Sequence, residues 1–200
     1  MLVSFPVLTE LRTKTQKLHS QLERESGFSN LMKVTVSYDQ YVSALKNLHY
    51  FLSVLEPSIA SHLSDDEYLY QRRLWCVERD LASLNGLTYP TIEPTDLTYH
   101  EAIGAAYVIE GSTLGGKLLY KRLQKQDFIA KASALSYFSF YRNNTWSDYI
   151  GWLEKQSFKS EAIDSICLGA THAFELLLEC SSKGTDLYSA NREYGIDRTD

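Results

Sequence analysis

A histidine and an arginine near the amino terminus have the residue types and the spacing to hold a ligand together. Arg12 lies seven residues before His19, and Thr15 lies four residues before the same histidine. Seven residues are close to two turns of an α-helix, so Arg12 and His19 share a face about 10 Å apart along the axis. A neutral imidazole binds a metal, and a guanidinium pairs with a carboxylate. The spacing suits a ligand with a metal at its centre and carboxylates on its edge, although ordinary solvated pairs show the same pattern.

A second segment, a predicted helix, contains several glycines in its interior. Gly104, Gly111 and Gly115 follow one another at steps of seven and four residues, so they share one helix face, and Gly116 follows directly. Four interior glycines weaken a helix by about 3–4 kcal/mol relative to alanine. A face without Cβ atoms lets a flat cofactor lie against the backbone, or lets a second helix pack closely. The sequence alone leaves both explanations open.

Helical periodicity dominates the elements that must position these residues. The apolar spacing predicts helices over residues 6–25, 38–63, 64–86, 98–126, 145–156 and 159–180. Ser64–Glu67 and Thr98–Glu101 match the capping box that opens a helix. Pro57 is expected to kink or break the second helix. Residues 87–97 carry Pro90 and Pro94 and are predicted to form a loop.

Other segments are less regular, and none of them changes the fold class. Residues 33–37 alternate like a strand but are too short to form a sheet alone. Residues 136–141 alternate serine with aromatic residues and fit a strand or a helix end. Residues 181–200 are polar and are predicted to form a flexible tail. We therefore predict an all-α protein with a single domain spanning residues 1–200.

Composition excludes several function classes. The net charge is −5, and the sequence contains no basic tract that would offset this charge locally, which argues against a nucleic-acid partner. The three cysteines show no C-x-x-C spacing, as expected for reduced thiols in the cytoplasm. No signal peptide and no apolar run of membrane-spanning length is found in the sequence. We expect a cytoplasmic protein with no membrane partner.

Two motifs resemble those of a known family when they are taken together. Residues 11–23, L-R-T-x-T-x-x-L-H-x-x-L-E, resemble the proximal helix of heme oxygenases. Residues 107–117, Y-V-I-E-G-S-T-L-G-G-K, resemble the distal helix, most closely that of the bacterial, bacteriophytochrome-associated branch. The resemblance extends over roughly residues 7–180, but only these two helices carry specific motifs. Their conjunction is much stronger evidence than either motif alone.

The resemblance implies a multi-helix fold that holds heme between a proximal and a kinked distal helix. It makes His19 the iron ligand, and it makes Arg12 and Tyr107 contacts for the heme propionates. It also implies that Gly111, Gly115 and Ser112 form the catalytic distal side. Phe174 matches an aromatic position that lines the family's pocket, and ordinary core packing explains it equally well. The implied heme-binding residues are Arg12, Thr15, His19, Tyr107, Gly111, Gly115 and Phe174.

The distal motif departs from the mammalian pattern at one position. Mammalian members carry an aspartate directly after the first distal glycine, and this chain carries Ser112 there. Glu110 is adjacent in sequence but points about 100° away from Gly111 around the helix. We therefore expect the distal proton relay to use ordered water held by backbone carbonyls or by Ser112.

The implied reaction is the opening of heme by dioxygen and reducing equivalents to biliverdin, carbon monoxide and ferrous iron. An electron donor such as a ferredoxin or a flavin reductase is implied as a partner. One alternative is a protein of the same fold that binds heme for storage or sensing without turnover. Another is a fold member that binds a different small molecule and uses its glycines only for helix packing. Among the other histidines, only His172 is a rival iron ligand.

Overall fold

The described part of the chain is built from α-helices. The computed structural model describes residues 6–64, 67–85 and 92–183. Across those ranges the chain has an isolated bridge between Ser64 and Leu69 but no β-strand, so the all-α prediction is confirmed. Two 3-10 segments, Gly27–Met32 and Phe140–Asn143, join the helices. The helices are α1 Pro6–Glu25, α2 Tyr38–His62, α3 Leu74–Asn85, α4 Tyr99–Leu123, α5 Asp127–Ala132, α6 Ser136–Ser139, α7 Thr145–Leu153 and α8 Ser160–Lys183.

Helix α2 continues through Pro57, so the predicted break is wrong. A proline inside a helix costs about 3 kcal/mol because it removes one hydrogen bond and crowds the preceding turn. The residues around it, Val54, Leu55 and Ile59, are buried in the core. Burying such side chains contributes about 1.5–3 kcal/mol each, which outweighs the cost of the proline.

The third predicted helix begins ten residues later than expected, at Leu74 instead of Ser64. Asp65 and Asp66 of the expected capping box lie outside the described residues. The true cap comes from α2, because the Glu56 carboxylate accepts hydrogen bonds from the backbone N–H groups of Arg73 (2.7 Å) and Leu74 (2.9 Å). A cap supplied from another helix leaves no local signal in the sequence.

Helix α4 begins as predicted. The Thr98 side chain accepts from the Glu101 N–H while Glu101 accepts from the Thr98 N–H, which completes the capping box. The helix ends at Leu123, and α5 occupies the next segment, so the predicted end near residue 126 was slightly late.

The segments whose structure the sequence left open or irregular form helix or loop. Residues 33–35 form bends, residues 36–37 have no regular structure, and the segment contains no strand. Residues 136–141 lie in α6 and the start of the second 3-10 segment. Asp80 caps α6 by accepting from the N–H groups of Ser136 (2.7 Å) and Tyr137 (3.0 Å). Residues 181–183 of the predicted tail continue α8, and the rest of that tail lies outside the described residues.

Glycines allow α4 and α8 to pack backbone against backbone. A Cβ atom added to Gly104 would lie 1.8 Å from the Ile166 carbonyl oxygen, and one added to Gly169 would lie 2.1 Å from the Glu101 carbonyl oxygen. Gly104 therefore serves helix packing and does not belong to the open face expected from its spacing with Gly111. Because α1 also packs against α8, this contact fixes both motif-bearing helices to one support.

None of the helices in the described ranges is long and apolar enough to cross a membrane.

Candidate functional site

One large cavity lies between α1, α4, α6 and the carboxyl-terminal half of α8. Its volume is about 1150 Å³, somewhat above the range of about 300–1,000 Å³ typical of pockets for drug-sized ligands. The cavity is therefore large enough for a macrocycle. Every site residue predicted from the sequence lines it: Arg12, Thr15, His19, Tyr107, Gly111, Ser112, Gly115 and Phe174.

His19 offers an accessible imidazole from α1. Its side chain is 60% exposed, and its Nδ1 atom lies 3.6 Å from Glu23 Oε1. A carboxylate beside Nδ1 favours the tautomer that leaves the Nε2 lone pair free for a metal. Phe174 packs edge-on against the imidazole with ring centroids 5.9 Å apart. Because Phe174 is also buried and belongs to the core cluster, it both lines the cavity and packs as a core residue.

Arg12 and Tyr107 form a donor pair at the junction of α1 and α4, with Thr15 beside them, whose hydroxyl donates to the Leu11 carbonyl oxygen at 2.7 Å. The Arg12 and Thr15 side chains lie within hydrogen-bonding reach of the Tyr107 hydroxyl. Burial raises the pKa of Tyr107, and the Arg12 charge partly offsets that effect. The phenol therefore stays protonated at neutral pH, and it stands beside a guanidinium as a second donor. This arrangement matches what a ligand carboxylate requires.

The glycines of α4 present bare backbone to the cavity. A Cβ atom added to Gly115 would have no neighbour within 4 Å among the described residues. One added to Gly111 would lie 3.5 Å from the Trp146 ring, an ordinary contact distance. Gly115 thus faces open space, and Gly111 lies between that space and the Trp146 ring. A flat ligand can approach the helix here more closely than any side chain would permit.

The hydroxyl groups beside these glycines bond back to the helix. Ser112 Oγ donates to the Ile109 carbonyl oxygen and Thr113 Oγ1 donates to that of Glu110, both at 2.6 Å. The Tyr137 side chain lies close enough to Ser112 to interact with it. Since the only Ser112 hydroxyl proton goes to Ile109, Ser112 can interact with Tyr137 only as an acceptor. Side-chain bonds of this kind bend helices, and here they accompany the glycines that open one face.

Glu110 points away from the cavity, as its angular position predicts. It is fully buried, and its Oε1 accepts from Arg73 Nη2 at 2.6 Å and from the Tyr68 hydroxyl at 3.0 Å. It therefore offers no substitute for the carboxylate that Ser112 replaces.

The remaining histidines do not compete for a ligand in this cavity. His172 is exposed and does not line it. His49 is buried in the core, where burial lowers its pKa to about 4. His62 Nε2 lies 2.7 Å from the Leu97 carbonyl oxygen. No group of three His, Cys, Asp or Glu residues that could hold a bare metal ion occurs in the part of the chain that the structure describes. A single histidine suits a metal that a macrocycle already holds.

Among the other residues that line the cavity, the sequence analysis did not single out Arg73, Tyr137 and Trp146. Arg73 follows another arginine and resembles a surface residue, but it is 1% exposed. Tyr137 belongs to the segment whose structure stayed ambiguous. No local sequence signal places Arg73 or Tyr137 at the cavity, because their positions depend on which helices pack together.

Comparisons with known proteins agree with this geometry. A model of the heme oxygenase family matches residues 6–96 and 91–183. A heme oxygenase of Xanthomonas campestris pv. campestris is 27% identical over 133 residues, which cover 65% of this chain and 78% of the relative. The crystal structure of the NO- and CO-bound heme oxygenase of Neisseria meningitidis superimposes with a TM-score of 0.63 at 25% identity, covering 90% of this chain and 94% of that one. The family match, the fold and the cavity lead to the same conclusion: this chain belongs to the heme oxygenase family.

Proposed function

We propose that this protein is an active heme oxygenase that converts heme to biliverdin, carbon monoxide and ferrous iron. The observation that carries the proposal is the single cavity that brings His19 of α1 together with Gly111, Ser112 and Gly115 of α4. A metal-binding imidazole and a helix face of bare backbone are what a planar iron complex requires on its two sides. The bound heme supplies both the iron that reacts with dioxygen and the porphyrin that is cleaved.

His19 is proposed to bind the iron as a neutral imidazole. Glu23 beside Nδ1 orients the ring, and Phe174 limits its rotation from the other side. A neutral histidine donates less electron density to the iron than a cysteine thiolate, so it promotes O–O cleavage less. This favours attack on the porphyrin over the O–O cleavage that a thiolate ligand promotes.

Arg12 and Tyr107, with Thr15 beside them, are proposed to hold the heme propionates. Among the described residues that line the cavity, the cationic side chains are those of Arg12 and Arg73, apart from a protonated His19. Arg73 is already committed to Glu110, whereas Arg12 is exposed. The propionate edge of the heme is therefore expected at the Arg12 end of the cavity.

Gly111 and Gly115 are proposed to bring the α4 backbone close to the heme face, and Ser112 to hold a water molecule there. Within the described ranges, no carboxylic acid or imidazole of α4 lines the cavity. Protons must therefore come through water and hydroxyl groups, and Ser112 and Tyr137 are candidates that line the cavity. The absence of a strong distal acid agrees with ring opening and disfavours peroxidase activity.

The reaction needs electrons, so we propose a ferredoxin or a flavin reductase as partner. The basic residues Lys117, Lys121, Arg122 and Lys125 near the end of α4 could meet an acidic donor, although Arg122 also donates to the Met32 carbonyl oxygen. The specific likeness to the bacteriophytochrome-associated branch stays a prediction.

Product analysis tests the proposal. Purified protein loaded with hemin is supplied with a ferredoxin, its reductase and NADPH in air, and the products are separated and identified by mass. We expect biliverdin and an equal amount of carbon monoxide, and no biliverdin from His19→Ala under the same conditions. Recovery of intact heme from the unsubstituted protein would refute the enzymatic proposal and favour heme storage or sensing.

A further inference from the structure

A buried ion pair adjoins the cavity behind the glycine segment of α4. Arg73 and Glu110 are 1% and 0% exposed, and their side chains meet at 2.6 Å. Buried ion pairs seldom add net stability over apolar residues of similar size, because desolvation offsets the attraction. Arg73 Nε and Glu110 Oε2 also have no hydrogen-bond partner among the described residues. A pair that existed only for stability would be satisfied more completely.

The pair is tied to the backbone that faces the ligand. Arg73 Nη1 donates to the Ile109 carbonyl oxygen at 3.2 Å, and Ser112 Oγ donates to the same oxygen at 2.6 Å. Arg73 thus holds both a backbone atom and a side chain of the turn that precedes Gly111. The guanidinium is itself fixed in place by the Phe140 ring, whose centroid lies 4.5 Å from Cζ.

The hydrogen bonds of this turn have a fixed direction. Arg73 carries no acceptor, so it always donates to Ile109, and the Ser112 proton also points to Ile109. The Ser112 oxygen, which lines the cavity, is left to accept a hydrogen bond from a donor there. Disturbing the Ile109 carbonyl therefore changes how Ser112 faces the cavity.

From these contacts we infer that Arg73 is a positioning residue for the proposed oxygenation. Through Ile109 and Glu110 it fixes the turn of α4 that presents Gly111 and Ser112, and it thereby holds the Ser112 proton on the Ile109 carbonyl oxygen, so that Ser112 can act toward the bound ligand only as an acceptor. The inference rests on the proposed function for its consequence in turnover, but its structural part holds in the ligand-free protein. Arg73 acts through other groups and makes no bond to the substrate.

The test compares backbone amide exchange and turnover in matched variants. Replacing Arg73 alone would leave the Glu110 carboxylate buried without an opposite charge, so Arg73→Met is combined with Glu110→Gln, which still accepts from Tyr68. Arg73→Lys is the conservative variant, because an ammonium keeps the charge but lacks the fork that reaches both acceptors. Tyr149→Phe is the control, since it removes another buried donor to α4, the 2.8 Å bond to the Ile103 carbonyl oxygen, away from the cavity.

In the ligand-free protein, we expect exchange at residues 111–116 to accelerate at least about tenfold in the double variant, because a bond from a charged donor is lost. Arg73→Lys should give an intermediate rate, and Tyr149→Phe should leave these amides unchanged. With hemin, the dissociation constant should change by less than about threefold while biliverdin formation slows at least about tenfold. This separation of binding from turnover is not expected of a residue that only supports the fold.

Unchanged exchange at residues 111–116, or an equal acceleration in Tyr149→Phe, would overturn the inference. Equal losses of hemin affinity and turnover would also overturn it. If the double variant does not fold, the same measurements of exchange, hemin affinity and turnover are compared between Arg73→Lys and Tyr149→Phe, and the same outcomes decide. If the unsubstituted protein binds hemin without opening it, the proposed function fails, and the exchange measurement still decides the positioning role.

Discussion

Replacing Gly115 by alanine should make the ligand-free protein more stable and the heme site worse. Gly115 lies inside α4, and a Cβ atom added there meets no described atom within 4 Å. Alanine in a helix interior is favoured over glycine by about 1 kcal/mol. Without an opposing clash, the free energy of unfolding should rise by about that amount, which corresponds to roughly 2–4 °C in Tm for a chain of this size. The new methyl group would occupy space that the proposed heme needs.

The assay combines thermal unfolding of the ligand-free protein with hemin titration and turnover. Gly151→Ala is the matched control, because a Cβ atom at that position also meets no described atom within 4 Å, but Gly151 does not line the cavity. Both variants should gain similar stability, and Gly115→Ala alone should lose hemin affinity or turnover. Gly115→Leu should enlarge the loss. Normal binding and turnover in Gly115→Leu would refute the placement of heme against this face.

Three further perturbations test other parts of the structure. Gly104→Ala should lower the free energy of unfolding by about 1–3 kcal/mol or more, measured by urea denaturation, because its Cβ would lie 1.8 Å from the Ile166 carbonyl oxygen; unchanged stability would contradict the close contact of α4 and α8. Arg12→Gln should raise the hemin dissociation constant by about tenfold, and an unchanged affinity would remove Arg12 from the propionate site. His49, whose pKa is lowered from 6.5 to about 4 by burial, favours the folded state while neutral, so its contribution is present above pH 6.5 and is lost as the pH falls toward 4. That loss should approach about 3 kcal/mol and be absent in His49→Gln, and parallel pH profiles of unfolding would show that His49 is not responsible.

The sequence predicts those features that depend on neighbouring residues. The bounds of α1 and the capping box of α4 follow from local periodicity and from side chains three residues apart. The joint placement of Arg12 and His19 on one cavity wall follows from their seven-residue spacing in a helix. These predictions hold because the relevant atoms belong to one helix or one turn.

The features that sequence analysis missed depend on contacts between distant residues. The start of α3 is set by Glu56, and the ambiguous segment at α6 is capped by Asp80; neither acceptor is near its helix in the chain. Gly104 and Gly115 have the same residue type on a similar helix face, yet one meets the α8 backbone and the other meets open space. Only the packing of α8 distinguishes them. The role of Arg73 is hidden for the same reason, because Glu110 lies 37 residues away.

The most direct test of the account is the absorption spectrum of the hemin-loaded protein as reductant is added in air. The account predicts loss of the Soret band together with growth of a broad red absorption from biliverdin, and neither change in His19→Ala. A stable ferrous or oxygen-bound heme spectrum would contradict it and would indicate a heme carrier whose distal side does not activate oxygen. Failure to bind hemin at all would contradict the assignment of the cavity itself.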